Sequence, residues 1–223
     1  MVPTRIIARA MEKGLEAIGI CDHNSAENIP AVRKAGRKDG ITVFGGIEIT
    51  TSEEIHLLAL FDEDSDLFQM QEKIYRNLEG ENDSAAFGEQ YIVDEEDFVI
   101  STNNRLLLGA TGLSIDIIVA SIHQLNGIVI ASHVDREAFS IISQLGFIPR
   151  DLKLDALELS RYCKELPVLY SDVKYPFVTF SDAHRLDDIG RTATCFYIEK
   201  LTINELKKAF QNIEGRKCSS GIN

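Results

Sequence analysis

The sequence predicts an α/β domain with a mainly parallel sheet and helices packed outside it. Two observations carry this reading. Short apolar runs of strand length alternate with segments of helical periodicity along most of the chain. Several of those runs end directly on a histidine or an acid, as strands do where they deliver side chains to the functional end of an α/β fold. The length of 223 residues suits one such domain.

Each element has a local cause. Pro3 fits the first turn of a helix, where its missing N–H is not needed. Ile6, Ile7, Ala10 and Met11 give that helix an apolar stripe, and Gly14 stops it. AIGI with Cys21 is a strand ending in Asp22-His23-Asn24. A helix around Pro30–Lys38 is closed by Gly40, and ITVFGGIEIT and EIHLLALF read as strands. Ser65 is placed to cap a helix with Phe68, Met70, Ile74 and Leu78 on its apolar face. Residues 80–112 form a polar insertion with a small hairpin, QYIV against DFVI. A helix over 114–125 stops at Asn126-Gly127. The strand IVIAS then leads to His133, and a short helix lies near 138–145. ALELS leads to Arg161, PFVTF to Ser181-Asp182-Ala183-His184, and ATCFYIE to a last helix opened by the capping-box pattern Thr202-Ile203-Asn204-Glu205. No repeat or linker divides the chain, so one domain is expected over 1–213, with a disordered tail over 214–223.

Composition excludes several classes. Hydrophobic residues make up 44% and charged residues 26%, ordinary globular values. The formal charge is −12, and residues 61–97 supply most of it with thirteen acids against two bases. Such a surface offers no footprint for nucleic acid or anionic lipid. No apolar run approaches a membrane span and no signal peptide is visible. Four cysteines, Cys21, Cys163, Cys195 and Cys218, form no C-x-x-C pair, which suits a reducing cytoplasm. There is no G-x-S-x-G elbow, no phosphate-binding P-loop and no G-x-G-x-x-G turn after a strand. Cys21 lies inside an apolar strand and reads as core.

The chemistry rests on His23, His56, His133 and His184, all beside apolar strands, with Glu48 inside GIEIT and Asp182 two residues before His184. One histidine at a strand end is commonly structural, and Glu48 alone could pair with a buried arginine. Together they offer imidazole nitrogens and carboxylate oxygens from several strand ends, the donor set that zinc, manganese or iron requires. His123 falls mid-helix and reads as a surface or packing residue.

ICDHNSAEN, GIEITTSEEIHLLAL, ASHVDR and SDAH resemble successive motifs of the PHP (polymerase and histidinol phosphatase) family, from about Ile6 to Phe210. The match is closest to stand-alone PHP proteins described as metal-dependent phosphoesterases, through Gly88–Leu108 and Gly146–Pro149. The resemblance implies a distorted seven-stranded TIM-like β/α barrel holding up to three metal ions. By motif, the ligands are His23, Glu48 (bridging), His56, His133, Asp182 and His184. Glu48, His56 and His133 make the one complete set. Family members begin with a His-x-His strand, whereas this chain starts at the helix that follows. The expectation is therefore a barrel with its first strand missing, an open edge that invites a homodimer, and slow or absent hydrolysis by the chain as it stands.

The implied activity is hydrolysis of a small phosphomonoester by hydroxide generated at the metals, with Asp182 or His184 relaying protons. Arg136 and Arg161 are candidate phosphate clamps, since a guanidinium fork binds two oxygens at once. Two alternatives remain open at this point. One is a degenerate domain that binds metal or ligand without catalysis; the other is amidohydrolase-type cleavage of a C–N bond.

Overall fold

The computed structural model describes residues 1–163 and 173–220. Helix α1 (Pro3–Glu12) carries proline in its first turn and buries Pro3, Ile6, Ile7 and Ala10. It precedes β1 (Ala17–His23), α2 (Ile29–Asp39) and β2 (Thr42–Thr50). Gly40 ends α2 in the left-handed conformation at φ 78°, which costs glycine nothing. β1 and β2 pair in parallel, joined by α2.

The mainly parallel sheet is corrected at β3 (His56–Phe61). It runs antiparallel to β2 on one side and to β6 (Ile128–Ala131) on the other. The physical reason is length. Five residues, 51–55, join β2 to β3, and a parallel crossover needs a dozen or more. β6, β7 (Ala156–Leu159) and β8 (Phe177–Thr179) are again parallel. The order β1-β2-β3-β6-β7-β8 makes a curled half-barrel of six strands. β9 (Cys195–Tyr197), within the expected strand ATCFYIE, lies outside the main sheet and pairs with β10 (Lys217–Ser219). Residues 217–219 of the expected tail pair with β9 as a two-stranded antiparallel ladder. Arg216 also pairs with Glu205 (2.9 Å) and Glu199 (2.7 Å). Residues 221–223 of that tail lie outside the described residues.

Helices α3 (Asp64–Tyr75) and α5 (Ile115–Gln124) cover one face of the sheet over a core that includes Ile47, Ile49, Leu57, Phe61, Leu67 and Ile118. α7 (Ile203–Gln211) covers part of the other, where Phe44, Leu60, Ile128, Ile130 and Val178 meet Leu206 and Phe210. The Thr202 side chain caps α7 by accepting from Glu205 N, but Glu205 turns away to accept from Glu199 N and Arg216. Ser65 lies within α3, whose cap is Glu63. His123, on α5, pairs with Asp155 at 3.0 Å. Among the described residues no helix is long and apolar enough to cross a membrane.

The insertion holds α4 (Ser84–Phe87) and the hairpin β4 (Tyr91–Val93) and β5 (Val99–Thr102). It is fastened to the loop after β1. Asn24, fully buried at φ 49°, donates to the carbonyls of Leu107 (2.9 Å) and Gly109 (2.8 Å) and accepts from Thr50 N. Glu27, Tyr75 and Asn103 add a second polar knot, with the Arg105 guanidinium over the Tyr75 ring. Burial and the nearby Glu27 push the Tyr75 hydroxyl up to about 12 despite its hydrogen bond with Ser25. Replacing Asn24 by Ala would leave the buried Thr50 N–H and two half-buried carbonyls without their partner. The expected cost is about 2 kcal/mol, read as a lower urea midpoint; an unchanged midpoint would show the insertion to be held elsewhere.

Candidate metal centre

Glu48 is the centre of the site. It lies two residues before the end of β2, and register sets it directly beside His23 on the edge strand β1. His56 opens β3 after the five-residue turn, pairs with Thr50 two residues beyond Glu48, and returns to the same end of the sheet. His133 follows β6 by two residues. The three imidazoles surround one carboxylate: His56 Nδ1 lies 3.0 Å from Oε1, His133 Nε2 3.7 Å from Oε1, and His23 Nδ1 3.6 Å from Oε2. One ligand atom each from His23, Glu48 and His56 lie within 4.8 Å of one another. The sequence expectation grouped Glu48, His56 and His133. The tightest trio substitutes His23, because β1 is hydrogen-bonded to β2 whereas β6 is separated from β2 by β3.

The electrostatics suit a cation. Burial alone would raise the Glu48 carboxyl, but close approach of His133 and His56 and the charge of His23 outweigh it and hold it well below the usual carboxylate range. Burial depresses His23 in turn, with Glu48 opposing and His56 adding to the effect, so its ring favours the neutral form that ligates metal. The Nδ1 atoms of His23, His56 and His133 are shut off from water, and none completes a hydrogen bond. The Nδ1 atoms of His23 and His56, which face the Glu48 carboxylate without completing a hydrogen bond, fit a divalent ion.

The other expected residues lie at the rim. Asp182 is paired with Arg136 at 2.7 Å, and His184, mostly exposed, lies 3.6 Å from Asp182. The His184 and His23 ring centroids are 6.3 Å apart, placing both on one side of the sheet. Arg161, expected to be available to phosphate, is engaged with Asp188 at 2.8 Å, the Ser181 carbonyl and the Tyr162 hydroxyl. Its charge sits among protein groups and is neutralised there. Arg136 is the more available of the two, with 34% of its side chain exposed against 16%. Burial pushes the Cys21 thiol well up, as a core cysteine requires and a nucleophile does not.

Two residues escaped the sequence reading. Glu158 in ALELS is buried, its carboxyl raised by burial and then by Glu48 and Asp182, and it accepts from the His133 backbone N–H at 3.3 Å. A carboxylate inside an apolar run was the signal that picked out Glu48, and it applied equally here. Phe139 stacks on His56 with centroids 4.6 Å apart. His133, Phe139 and Asp182 all have positive φ, at 32°, 58° and 43°. Such backbone costs of order 1–3 kcal/mol each and gathers at functional sites. A cavity of about 790 Å³ opens from His23, Glu48, His133 and Asp182 along the apolar inner face of the sheet, within the size range of small-molecule sites.

The sequence profile of the PHP domain matches residues 2–170. The chain belongs to the PHP domain family. A 5'-3' exoribonuclease of Haemophilus influenzae is 34% identical to this PHP chain over 61 residues, covering 26% of this chain and 22% of that protein. The lesion-specific endonuclease PfuEndoQ from Pyrococcus furiosus shares the fold with a TM-score of 0.69 at 19% identity, over 98% of this PHP chain and 53% of its own. A further endonuclease Q structure, with a 27-mer duplex bearing an abasic lesion at the active site, gives the same TM-score over 97% of this chain. A metal-dependent phosphoesterase structure from Bifidobacterium adolescentis gives 0.52 at 18% identity, covering 82% of each chain. The PHP chain thus spans about half the length of the endonuclease Q chains and matches under a quarter of the exoribonuclease.

Proposed function

We propose that this chain is a metal-dependent phosphoesterase that takes a small phosphomonoester. PHP membership and the phosphoesterase and endonuclease neighbours support a metal-dependent hydrolase. The observation that carries the reading is the convergence of His23, His56 and His133 on Glu48, with buried nitrogens free of hydrogen bonds. A divalent ion, zinc, manganese or iron, supplies Lewis-acid stabilisation of phosphoryl oxygens and acidifies water towards ~7. Glu48 provides the negative charge that holds such an ion, and the imidazoles fix its place. Arg136, on leaving Asp182, binds a phosphoryl oxygen. His184, open to solvent beside Asp182, carries a proton between water and the leaving oxygen.

A second reading is cleavage of a phosphodiester in nucleic acid. It is favoured by the names of the exoribonuclease and endonuclease relatives and opposed by the net charge of −12. The two readings part in one assay. With manganese, slow release of phosphate from a panel of monoesters is expected, stopped by EDTA. Cleavage of an internal diester without monoester hydrolysis would favour the nuclease reading. Metal binding with no hydrolysis of either would make the chain a binding module, and turnover of an amide alone would point to C–N chemistry.

A further inference from the structure

We propose that the outer edge of β5 is a docking site for an extended basic segment of a partner protein, which joins the hairpin as a third strand. Phe87, Tyr91, Phe98, Val99, Ile100 and Leu108 are all exposed, Phe98 and Ile100 to 65% and 64%. Elsewhere large exposed apolar residues stand singly along the chain, as Phe139 and Phe147 do on either side of α6 (Ile141–Leu145). Single ones are normal on any surface, whereas a group of six in one short insertion marks an interaction site.

The hairpin that carries them is firmly held. Asn28 closes its β4 edge as a neighbouring strand would, donating to the Tyr91 carbonyl at 3.2 Å and accepting from Val93 N at 3.0 Å. Asp97 in the turn accepts from Thr4 N of α1 at 3.0 Å, and Glu95 pairs with Lys34 of α2 at 3.3 Å. The Gln90 amide donates to the Asn103 and Arg105 carbonyls, both at 2.7 Å. The β5 edge has no such cover. Among the described residues its one strand neighbour is β4, and a register shift leaves Ile100 without a partner even there. An open row of N–H and C=O groups is a template for another strand, and proteins commonly guard it with charge or proline. Val99–Thr102 carries neither.

Charge selects the occupant. Glu89 precedes β4, and Asp94, Glu95, Glu96 and Asp97 form the turn. These acids repel nucleic acid and anionic lipid. They also repel the same edge of a second copy, which brings the same acids. An extended segment that alternates apolar residues with Lys or Arg suits all three features. Its backbone completes the β5 ladder, its apolar side chains cover the exposed ones, and its cations meet the acids.

The test uses the full chain and a fluorescein-labelled octapeptide of alternating valine and lysine, with binding read by anisotropy. The same peptide with glutamate in place of lysine should bind at least about 100-fold more weakly, since like charges facing each other are strongly unfavourable. Amide hydrogen exchange should slow over residues 98–102 when the lysine peptide is bound. Phe98→Ser combined with Ile100→Ser should weaken binding by about 10–100-fold through lost apolar burial, with Tm unchanged because both side chains are exposed. Glu89→Gln combined with Glu96→Gln should weaken it less and reduce its dependence on salt. The proposal is overturned if the lysine peptide does not bind, if the two peptides bind alike, if the serine variant binds as wild type does, or if exchange slows elsewhere instead. Dimerisation of the chain that the serine variant abolishes would assign the edge to a second copy and overturn it equally.

Discussion

Glu48→Gln is expected to lower the affinity for zinc or manganese by at least about 100-fold, beyond the 10–100-fold typical of losing a residue that merely orients a ligand. Glutamine keeps the shape and removes the charge on which three imidazoles converge. The fold should survive, because the substitution adds no volume. It also relieves the protein of a buried anion that costs free energy unless it is compensated. Manganese-dependent turnover should fall by about 10³-fold, since loss of several kcal/mol of charge stabilisation costs tenfold for each 1.4 kcal/mol. Calorimetric titration with metal, alongside an unchanged circular-dichroism spectrum, reads the effect directly. A variant that binds metal within threefold of wild type would remove Glu48 from the centre of the site.

Gly46→Ala should be the most damaging conservative change in the sheet. A β-carbon there would lie 2.6 Å from the Ala59 carbonyl oxygen, 2.6 Å from Cys21 Sγ and 2.7 Å from a Leu60 methyl. The thiol and the methyl can rotate aside, but the carbonyl belongs to β3 and can yield only by moving the strand. Overpacking of this kind costs about 3 kcal/mol. In a chain of this size that is a fall of about 6–12 °C in Tm. Gly19→Ala is the control. Its β-carbon would meet only a Leu60 methyl at 3.4 Å, and a smaller unfolded-state entropy should leave it neutral or slightly more stable. Equal Tm values for the two variants would contradict the close packing of β2 against β3.

Much of the molecule was legible in the sequence where a local cause exists. Pro3, Gly40 and Thr202 mark helix ends, and the apolar runs mark strands, because caps and periodicity act within a few residues. Glu48 was legible as an anomaly, a carboxylate in an apolar strand. What was not legible depends on partners distant in sequence. Arg136 and Arg161 looked free until Asp182 and Asp188 came beside them. β9 had the composition of a main-sheet strand, but its pairing was decided by β10, in a segment too polar to announce itself. Replacement of His133 by His23 in the tightest trio reflects strand adjacency, which alternation along the chain does not encode.

The short antiparallel link between β2 and β3 has a consequence for how the molecule comes into being. Five residues separate the strands that bear Glu48 and His56. Closing a loop of that size takes on the order of 10–100 ns, and a hairpin assembles in about 1–10 μs. His133 follows a strand, β6, that α3, the insertion and α5 separate from this pair, so its arrival bears a much larger loop-closure entropy. Half of the cluster is therefore encoded in the most local tertiary contact of the sheet. Substitutions in the 51–55 turn should slow refolding, whereas those around His133 should mainly hasten unfolding. Assembly of the site thus has a temporal order: an acid and one imidazole come first, and the remaining imidazoles close around them as the half-barrel curls.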